Sequence, residues 1–245
     1  LKKLKVYIVN LKHSTKRRDN IINEVKKQNI TNYKLIDAVD GNNISLEKLK
    51  SLTFKNKNNF NNWYTELTPS QIGCALSHIK IYQEFINSSY EYALILEDDS
   101  IFLNKFTYEL EKFILKNFKY KKQILLLSEI KEFYFKPIDR IKDYEIVNVT
   151  NAFFTHAYII NKEAAKSIIK FNYPVKTWAD NFVFFKIFCG IKLTGLNPFL
   201  VDQDKKNFKS TIALENNNEK KFFFRRSLYK IKNKIIKRFV KFSGH

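Results

Sequence analysis

Three consecutive carboxylates, Glu97, Asp98 and Asp99, close the apolar run Tyr92-Ala93-Leu94-Ile95-Leu96. Acids this close repel one another, and burying their surroundings is costly unless a cation or hydrogen-bond donors neutralise them. A divalent metal accounts for the cluster economically. A strand running into a solvated acidic turn is the alternative, and spacing alone leaves both open. His156 is embedded in the aromatic stretch Asn151 to Ile160 and is either a core residue or a third metal ligand. Asp180 is flanked by Trp178 and Phe182. Such surroundings raise the pKa of a general base, although an acid before a helix is also a cap. Arg17 and Arg18 fall near a helix start, where cations oppose the helix dipole, so an anion or acid in contact with them explains them as well as solvent does. Asp37 and Asp40 end a second apolar run, where nucleotide-binding sheets place an acid on a ribose or base, while Asp40-Gly41-Asn42 also spells an ordinary turn. Ser77 and His78 sit beside an apolar helical stripe, and His78 reads first as a hydrogen-bonded structural histidine.

These residues need a scaffold, and the hydrophobic pattern supplies one. Val6 to Leu11 predicts a first strand, Ser14 a helix cap, and Tyr33 to Gly41 a second strand with its turn. Strand, helix and strand at this spacing begin a parallel sheet. Residues 42–66, rich in Asn, Lys and Ser with Phe54, Phe60, Trp63 and Tyr64 scattered through them, read as a long irregular loop. Thr68-Pro69-Ser70-Gln71 is a strong helix start, with Thr at the N-cap, Pro at the first position and Gln completing a capping box. Gly73 inside that helix costs about 1 kcal/mol relative to Ala, which points to close approach by another backbone or a ligand. The acidic strand follows, then a helix capped by Asn104, a buried strand at Ile124 to Ser128, and a loop from Lys131 to Asp143. A strand over Asn151 to Ile160, a helix begun by Asn161, a helix over Phe182 to Phe188 and a last strand with a polar Asp202-Gln203-Asp204 loop complete the pattern.

The 245 residues carry a net charge of +20 with 44% hydrophobic and 16% aromatic content, enough for one sizeable α/β core and a tail. That charge implies a polyanionic neighbour. Cys74 and Cys189 are isolated and read as reduced thiols of a cytosolic protein. Leu1 opens directly into a charged segment rather than a secretory apolar region, and no apolar stretch reaches the roughly 18 residues a membrane span needs. From Glu219 to Phe242 there are ten Lys or Arg against one Glu. Phe224, Leu228, Ile231, Ile235, Phe239 and Phe242 recur there at steps of three and four. Wound as a helix these six form one apolar stripe, suited to an anionic membrane surface.

Taken together, Tyr7-Ile8-Val9-Asn10-Leu11, Arg17-Arg18, Asp37-Ala38-Val39-Asp40-Gly41, the block Leu67-Thr68-Pro69-Ser70-Gln71-Ile72-Gly73-Cys74-Ala75-Leu76-Ser77-His78 and Leu94-Ile95-Leu96-Glu97-Asp98-Asp99 resemble glycosyltransferase family 25. That family comprises bacterial lipooligosaccharide galactosyltransferases and their collagen-modifying relatives. Weaker matches are Thr155 to Ile160, Asp180, Leu200-Val201, Gln203-Asp204 and Ser210. The resemblance implies a GT-A-like, Rossmann-related α/β fold: a mixed sheet flanked by helices over residues 1–215, followed by a basic amphipathic tail over 216–245. It implies an inverting hexosyltransferase that takes a sugar, galactose by analogy, from a UDP-sugar to a lipid-linked oligosaccharide. Glu97 and Asp99, with His156, would hold a divalent ion, manganese by analogy. Arg17, Asp37, Ala38, Asp40, Ser77, His78 and Asp98 would form the donor side, and Asp180 would be the base. The expected place is the cytoplasmic face of the cell membrane, held peripherally by the tail. A family member that binds a sugar nucleotide without turning it over is one alternative, and a nucleic-acid-binding protein is the rival for the same charge. It leaves the triple acid unexplained, since carboxylates repel phosphate unless a metal intervenes.

Overall fold

A computed structural model describes residues 3–54, 67–152 and 156–208 of the chain. Its opening is the expected unit: β1 (Leu4–Asn10), α1 (Thr15–Lys27) and β2 (Tyr33–Asp37). The two strands pair in parallel with Val6 opposite Tyr33 and Asn10 opposite Asp37. Ser14 stands at the helix N-cap, but its side chain makes no capping hydrogen bond. Its carbonyl accepts from the Arg18 amide instead, at 3.0 Å. The first part of the long loop expected after β2 is regular structure: a 3₁₀ turn, Gly41–Asn43, leads into α2 (Leu46–Leu52), whose cap Ser45 accepts from the Lys48 amide. A seven-residue helix with Leu49 as its one buried side chain is too short to print a helical period in sequence. Residues 55–66, with Phe60, Trp63 and Tyr64, lie outside the described residues.

Helix α3 (Pro69–Ile86) starts as its sequence dictates. Thr68 Oγ1 accepts from the Gln71 amide at 3.3 Å, and Gln71 Oε1 accepts from the Thr68 amide at 3.0 Å. A cap of this kind is worth about 1 kcal/mol. Gly73 is where the helix crosses the 3₁₀ turn. A methyl group on Gly73 would stand 2.5 Å from the Val39 carbonyl oxygen and 2.6 Å from the Gly41 nitrogen, and one on Gly41 only 1.7 Å from the Pro69 carbonyl oxygen. Both glycines are therefore required by backbone contact.

The remaining elements are β3 (Tyr92–Glu97), β4 (Ser100–Phe102), α4 (Tyr108–Lys116), β5 (Gln123–Leu126), β6 (Glu132–Phe133), β7 (Asp139–Ile141), β8 (Tyr144–Asn151), β9 (Ala157–Asn161), α5 (Lys162–Asn172), α6 (Phe182–Cys189), β10 (Lys192–Asn197) and β11 (Val201–Gln203). Four differ from the sequence reading, the first being the strand expected over Asn151 to Ile160, of which Asn151 closes β8 and Ala157 to Ile160 belong to β9. Thr107, not Asn104, caps α4, because Phe106 is buried and its amide is held by Gln28 Oε1, which keeps it out of the helix. The stretch 131–143 contains β6 and β7, which pair with a β8 that the half-buried, irregular pattern of Tyr144–Asn151 did not announce. Asp202 and Gln203 belong to β11, antiparallel to β4, rather than to a loop.

The main sheet has the order β2-β1-β3-β9-β5-β10-β8-β6, with β7 also on β8. β1 is parallel to β2 and β3, and β10 to β5, while β9 runs antiparallel between β3 and β5. Side-chain alternation along β3 sends Ala93 and Ile95 to a core shared with α3, α5 and α6. Leu94 and Leu96 go to a core shared with α1 and α4. Covering both faces explains why the β3 run is apolar without interruption. This is the α/β mixed sheet flanked by helices of the GT-A-like expectation. The basic tail lies outside the described residues.

Candidate functional site

The C-terminal ends of β1 and β3 lie side by side, with Val9 opposite Glu97. Because β9 is antiparallel to β3, the residue preceding it is delivered to the same edge: the Glu97 amide donates to the His156 carbonyl oxygen at 3.0 Å. Helix α3 brings His78 over the strand end. The arrangement is thus made by topology, and the acids leave β3 straight into it.

Each acid has a different set of neighbours. Asp98 Oδ2 accepts from Asn10 Nδ2 at 2.7 Å and its Oδ1 from Arg17 at 2.8 Å. Asp99 Oδ2 accepts from the same guanidinium nitrogen at 3.2 Å and from Gln203 Nε2 at 2.8 Å. Arg17, in the first turn of α1, packs 5.3 Å from the Phe208 ring centroid. Its charge beside these acids, rather than helix stability, accounts for its position. Glu97 turns its two oxygens to two histidines: Oε2 lies 3.2 Å from His156 Nδ1, and Oε1 lies 3.7 Å from His78 Nε2. His78 Nδ1 in turn meets the Tyr158 hydroxyl at 2.7 Å, which meets the Tyr82 hydroxyl at 2.6 Å.

Burial sets the electrostatics. It raises the Asp98 carboxyl above its ordinary range despite Arg17 and Asn10. Asp99 is raised by burial and by the Glu97 charge, against the pull of Gln203, His156 and Arg17. Burial acts the same way on Glu97, but the hydrogen bond from His156 and the nearness of both imidazoles, His156 and His78, outweigh it and hold that carboxyl well below its ordinary range. His156 is pushed down by burial and raised overall by Glu97, Asp99 and Asp202. One oxygen is left over: Asp99 Oδ1 is buried without a hydrogen-bond partner among the described residues, 3.8 Å from His156 Nδ1. Glu97, Asp99 and His156 each present a donor atom within 4.8 Å of the others. Two carboxylates and an imidazole suit a divalent ion of the manganese or magnesium type, and the orphaned Oδ1 is the atom such an ion would satisfy.

Of the residues singled out in the sequence, Arg17, His78, Glu97, Asp98, Asp99 and His156 meet here. Asp37 and Ala38 end β2 beside Asn10, with the Ala38 amide donating to the Asn10 carbonyl oxygen at 2.8 Å. Asp40 caps the 3₁₀ turn by accepting from the Asn42 amide and the Asn43 side chain. Ser77 ties that turn to α3, accepting from the Val39 amide at 2.8 Å and donating to the Gly73 carbonyl oxygen at 2.7 Å. Asp180 lies at the entrance to α6, where Asn181 is the cap, and its charge reaches Cys74. The sequence reading overlooked Asn10, Gln203, Tyr158 and Tyr82. A polar residue closing an apolar strand next to the acidic one was the available signal for Asn10, whereas Gln203 is brought in by the β4–β11 pairing.

Residues 3–183 match the model of glycosyltransferase family 25 (LPS biosynthesis protein). Procollagen galactosyltransferase 2 of Homo sapiens is 26% identical over 172 residues, which cover 68% of this chain and 27% of that protein. Procollagen lysyl hydroxylase and glycosyltransferase of Acanthamoeba polyphaga mimivirus is 27% identical over 190 residues, covering 69% of this chain and 20% of that one. The chain thus spans less than a third of the length of either relative. Among solved structures, A197 from STIV superposes with a TM-score of 0.44 at 10% identity, over 79% of this chain and 81% of that one.

Proposed function

Since the chain belongs to glycosyltransferase family 25, we propose that it is an inverting hexosyltransferase that moves galactose from a UDP-sugar to a lipooligosaccharide or related surface-glycan acceptor. The observation that carries this reading is the buried Asp99 Oδ1, without a hydrogen-bond partner among the described residues, beside Glu97 and His156 at the end of β3. Glu97, Asp99 and His156 would hold a divalent ion, manganese foremost, which when bound offers Lewis-acid charge to a leaving diphosphate. Arg17 fixes the Asp98 and Asp99 carboxylates and contributes positive charge at the same edge. Asp37, Ala38, Asp40, Ser77, His78 and Asp98 form the donor side, with the Ser77 clamp setting the backbone between Ala38 and Asp40. Asp180 accepts the acceptor hydroxyl's proton as the new glycosidic bond forms opposite the departing nucleotide.

The test is UDP release from a panel of UDP-sugars, with and without manganese, and the anomeric configuration of the product formed on a lipooligosaccharide acceptor. Manganese-dependent release from UDP-galactose and inversion are expected. Absence of release from every sugar nucleotide tried would overturn the assignment.

The tail enters through its sequence alone. With ten cations at about 1 kcal/mol each near an anionic surface, residues 219–242 would hold the protein on the cytoplasmic leaflet beside a lipid-linked acceptor. No helix among the described residues is long and apolar enough to cross a membrane. The 245-residue chain is expected to sediment with phosphatidylserine vesicles, and a chain ending at residue 218 to remain in solution. Equal sedimentation of both would remove the tail from the proposal.

A further inference from the structure

The side of the Glu97 carboxylate turned away from His156 faces a second group of donors. Cys74 and His78, four residues apart on α3, share a helix face. Cys74, His78 and Glu97 each present a ligand atom within 4.8 Å of the others. This trio is chemically unlike the first, since it offers a sulfur and a nitrogen with one oxygen. A thiol and an imidazole select thiophilic cations over manganese or magnesium.

An independent observation points to a ligand there. His78 is 1% exposed, and its Nε2 has no hydrogen-bond partner among the described residues. Nδ1 is bonded to the Tyr158 hydroxyl, so the ring's orientation is fixed and Nε2 is the atom directed at Glu97 Oε1, 3.7 Å away and beyond hydrogen-bond reach. A buried imidazole nitrogen 3.7 Å from a carboxylate oxygen and without a hydrogen bond, in a cluster that also holds a cysteine sulfur, has the disposition of a metal ligand whose other ring nitrogen is held by a supporting group.

We infer that Cys74 Sγ, His78 Nε2 and Glu97 Oε1 form a second cation site, selective for zinc-like ions, which shares Glu97 with the Asp99 and His156 set through the opposite carboxylate oxygen. Three protein donors leave the fourth tetrahedral position for water. A cation is held by the thiolate, so its uptake must expel the Cys74 thiol proton to solvent. Tyr158 and Tyr82 act as positioning residues, holding the imidazole through its other nitrogen.

Cobalt(II) titration of the 245-residue chain tests this directly, because a thiolate bound to cobalt gives an intense charge-transfer absorption that oxygen and nitrogen ligands do not. One equivalent is expected to produce the band, and zinc to displace it. Cys74→Ser is expected to abolish the band and weaken zinc by ~100-fold or more, with manganese binding retained. The chain holds two cysteines, so should Cys74→Ser fail to fold, persistence of the band in Cys189→Ser still assigns the thiolate. No band in the unmodified chain, a band that survives Cys74→Ser, or a band lost in Cys189→Ser would overturn the site. The readout uses neither donor nor acceptor, so its failure leaves the transferase reading untouched.

Discussion

Asp99→Asn is expected to lower sugar transfer by on the order of 10³-fold, with the fold intact. A bound cation acting as Lewis acid is worth several kcal/mol to a reaction that builds charge on a diphosphate, and each 1.4 kcal/mol or so is a factor of about ten in rate. Asn is isosteric and retains one side-chain oxygen, which can keep accepting from Gln203 Nε2 or Arg17. It loses the negative charge that Glu97, Asp99 and His156 jointly offer. Stability should not fall, since burial and the neighbouring Glu97 charge already raise the Asp99 carboxyl, so ionising it in the fold is unfavourable. The measurements are kcat/KM with a UDP-sugar, manganese affinity from the electron paramagnetic resonance of the free ion, and the thermal midpoint. Manganese affinity and turnover both within tenfold of the unmodified chain would remove Asp99 from the metal site. A lowered thermal midpoint with unchanged manganese affinity would instead make Asp99 a purely structural acid.

Gly41→Ala has the largest expected effect on stability. The added methyl would lie 1.7 Å from the Pro69 carbonyl oxygen and 2.4 Å from its carbon, both backbone atoms at the start of α3. No side-chain rotation relieves that contact, so the 3₁₀ turn and α3 must separate. Overpacking a well-packed interior costs about 1–3 kcal/mol, and a backbone clash this deep belongs at or above the upper end. Separation would also pull Val39 off Ser77 and disturb the segment Asp37 to Asp40. The urea midpoint should fall sharply, and transferase activity with it. Gly190→Ala is the control, because that glycine has open space around it and is strained only by its φ of 64°. Equal loss in the two variants would show that the close approach is not what makes Gly41 necessary.

Where the local signals were strong, the sequence could be read far into the structure. The Thr68 to Gln71 capping box, the apolar β3 run and the Gly73 approach are each consequences of a few adjacent residues, and each is found as expected. Arg17 was legible in part: its unfavourable place near a helix start left an acid partner and solvent as equal readings, and the structure shows the acids. What the residues alone left open, His156 as core residue or third metal ligand and Gln203 as part of a polar loop, was decided by pairing between distant segments. Gln203 reaches Asp99 only because β11 lies on β4, and His156 reaches Glu97 only because β9 is inserted antiparallel beside β3. Neither relation leaves a period or a motif in the chain. Short elements such as α2, β6 and β7 escaped for a different reason: they are too brief for amphipathic spacing to accumulate.

The antiparallel insertion of β9 also governs how this protein tolerates length changes. His156 is placed against Glu97 by a ladder in which Leu96 faces Ala157 and Tyr92 faces Asn161. Deleting a single codon within that ladder would shift every following partner by one and flip the strand's alternate side chains to the opposite face. Tyr158, which steadies His78, would then exchange faces with Ile159. Frame-preserving insertions and deletions should therefore be purged from residues 157–161 in a library selected for transfer, while the outer strand β6 at the far edge of the sheet accepts them.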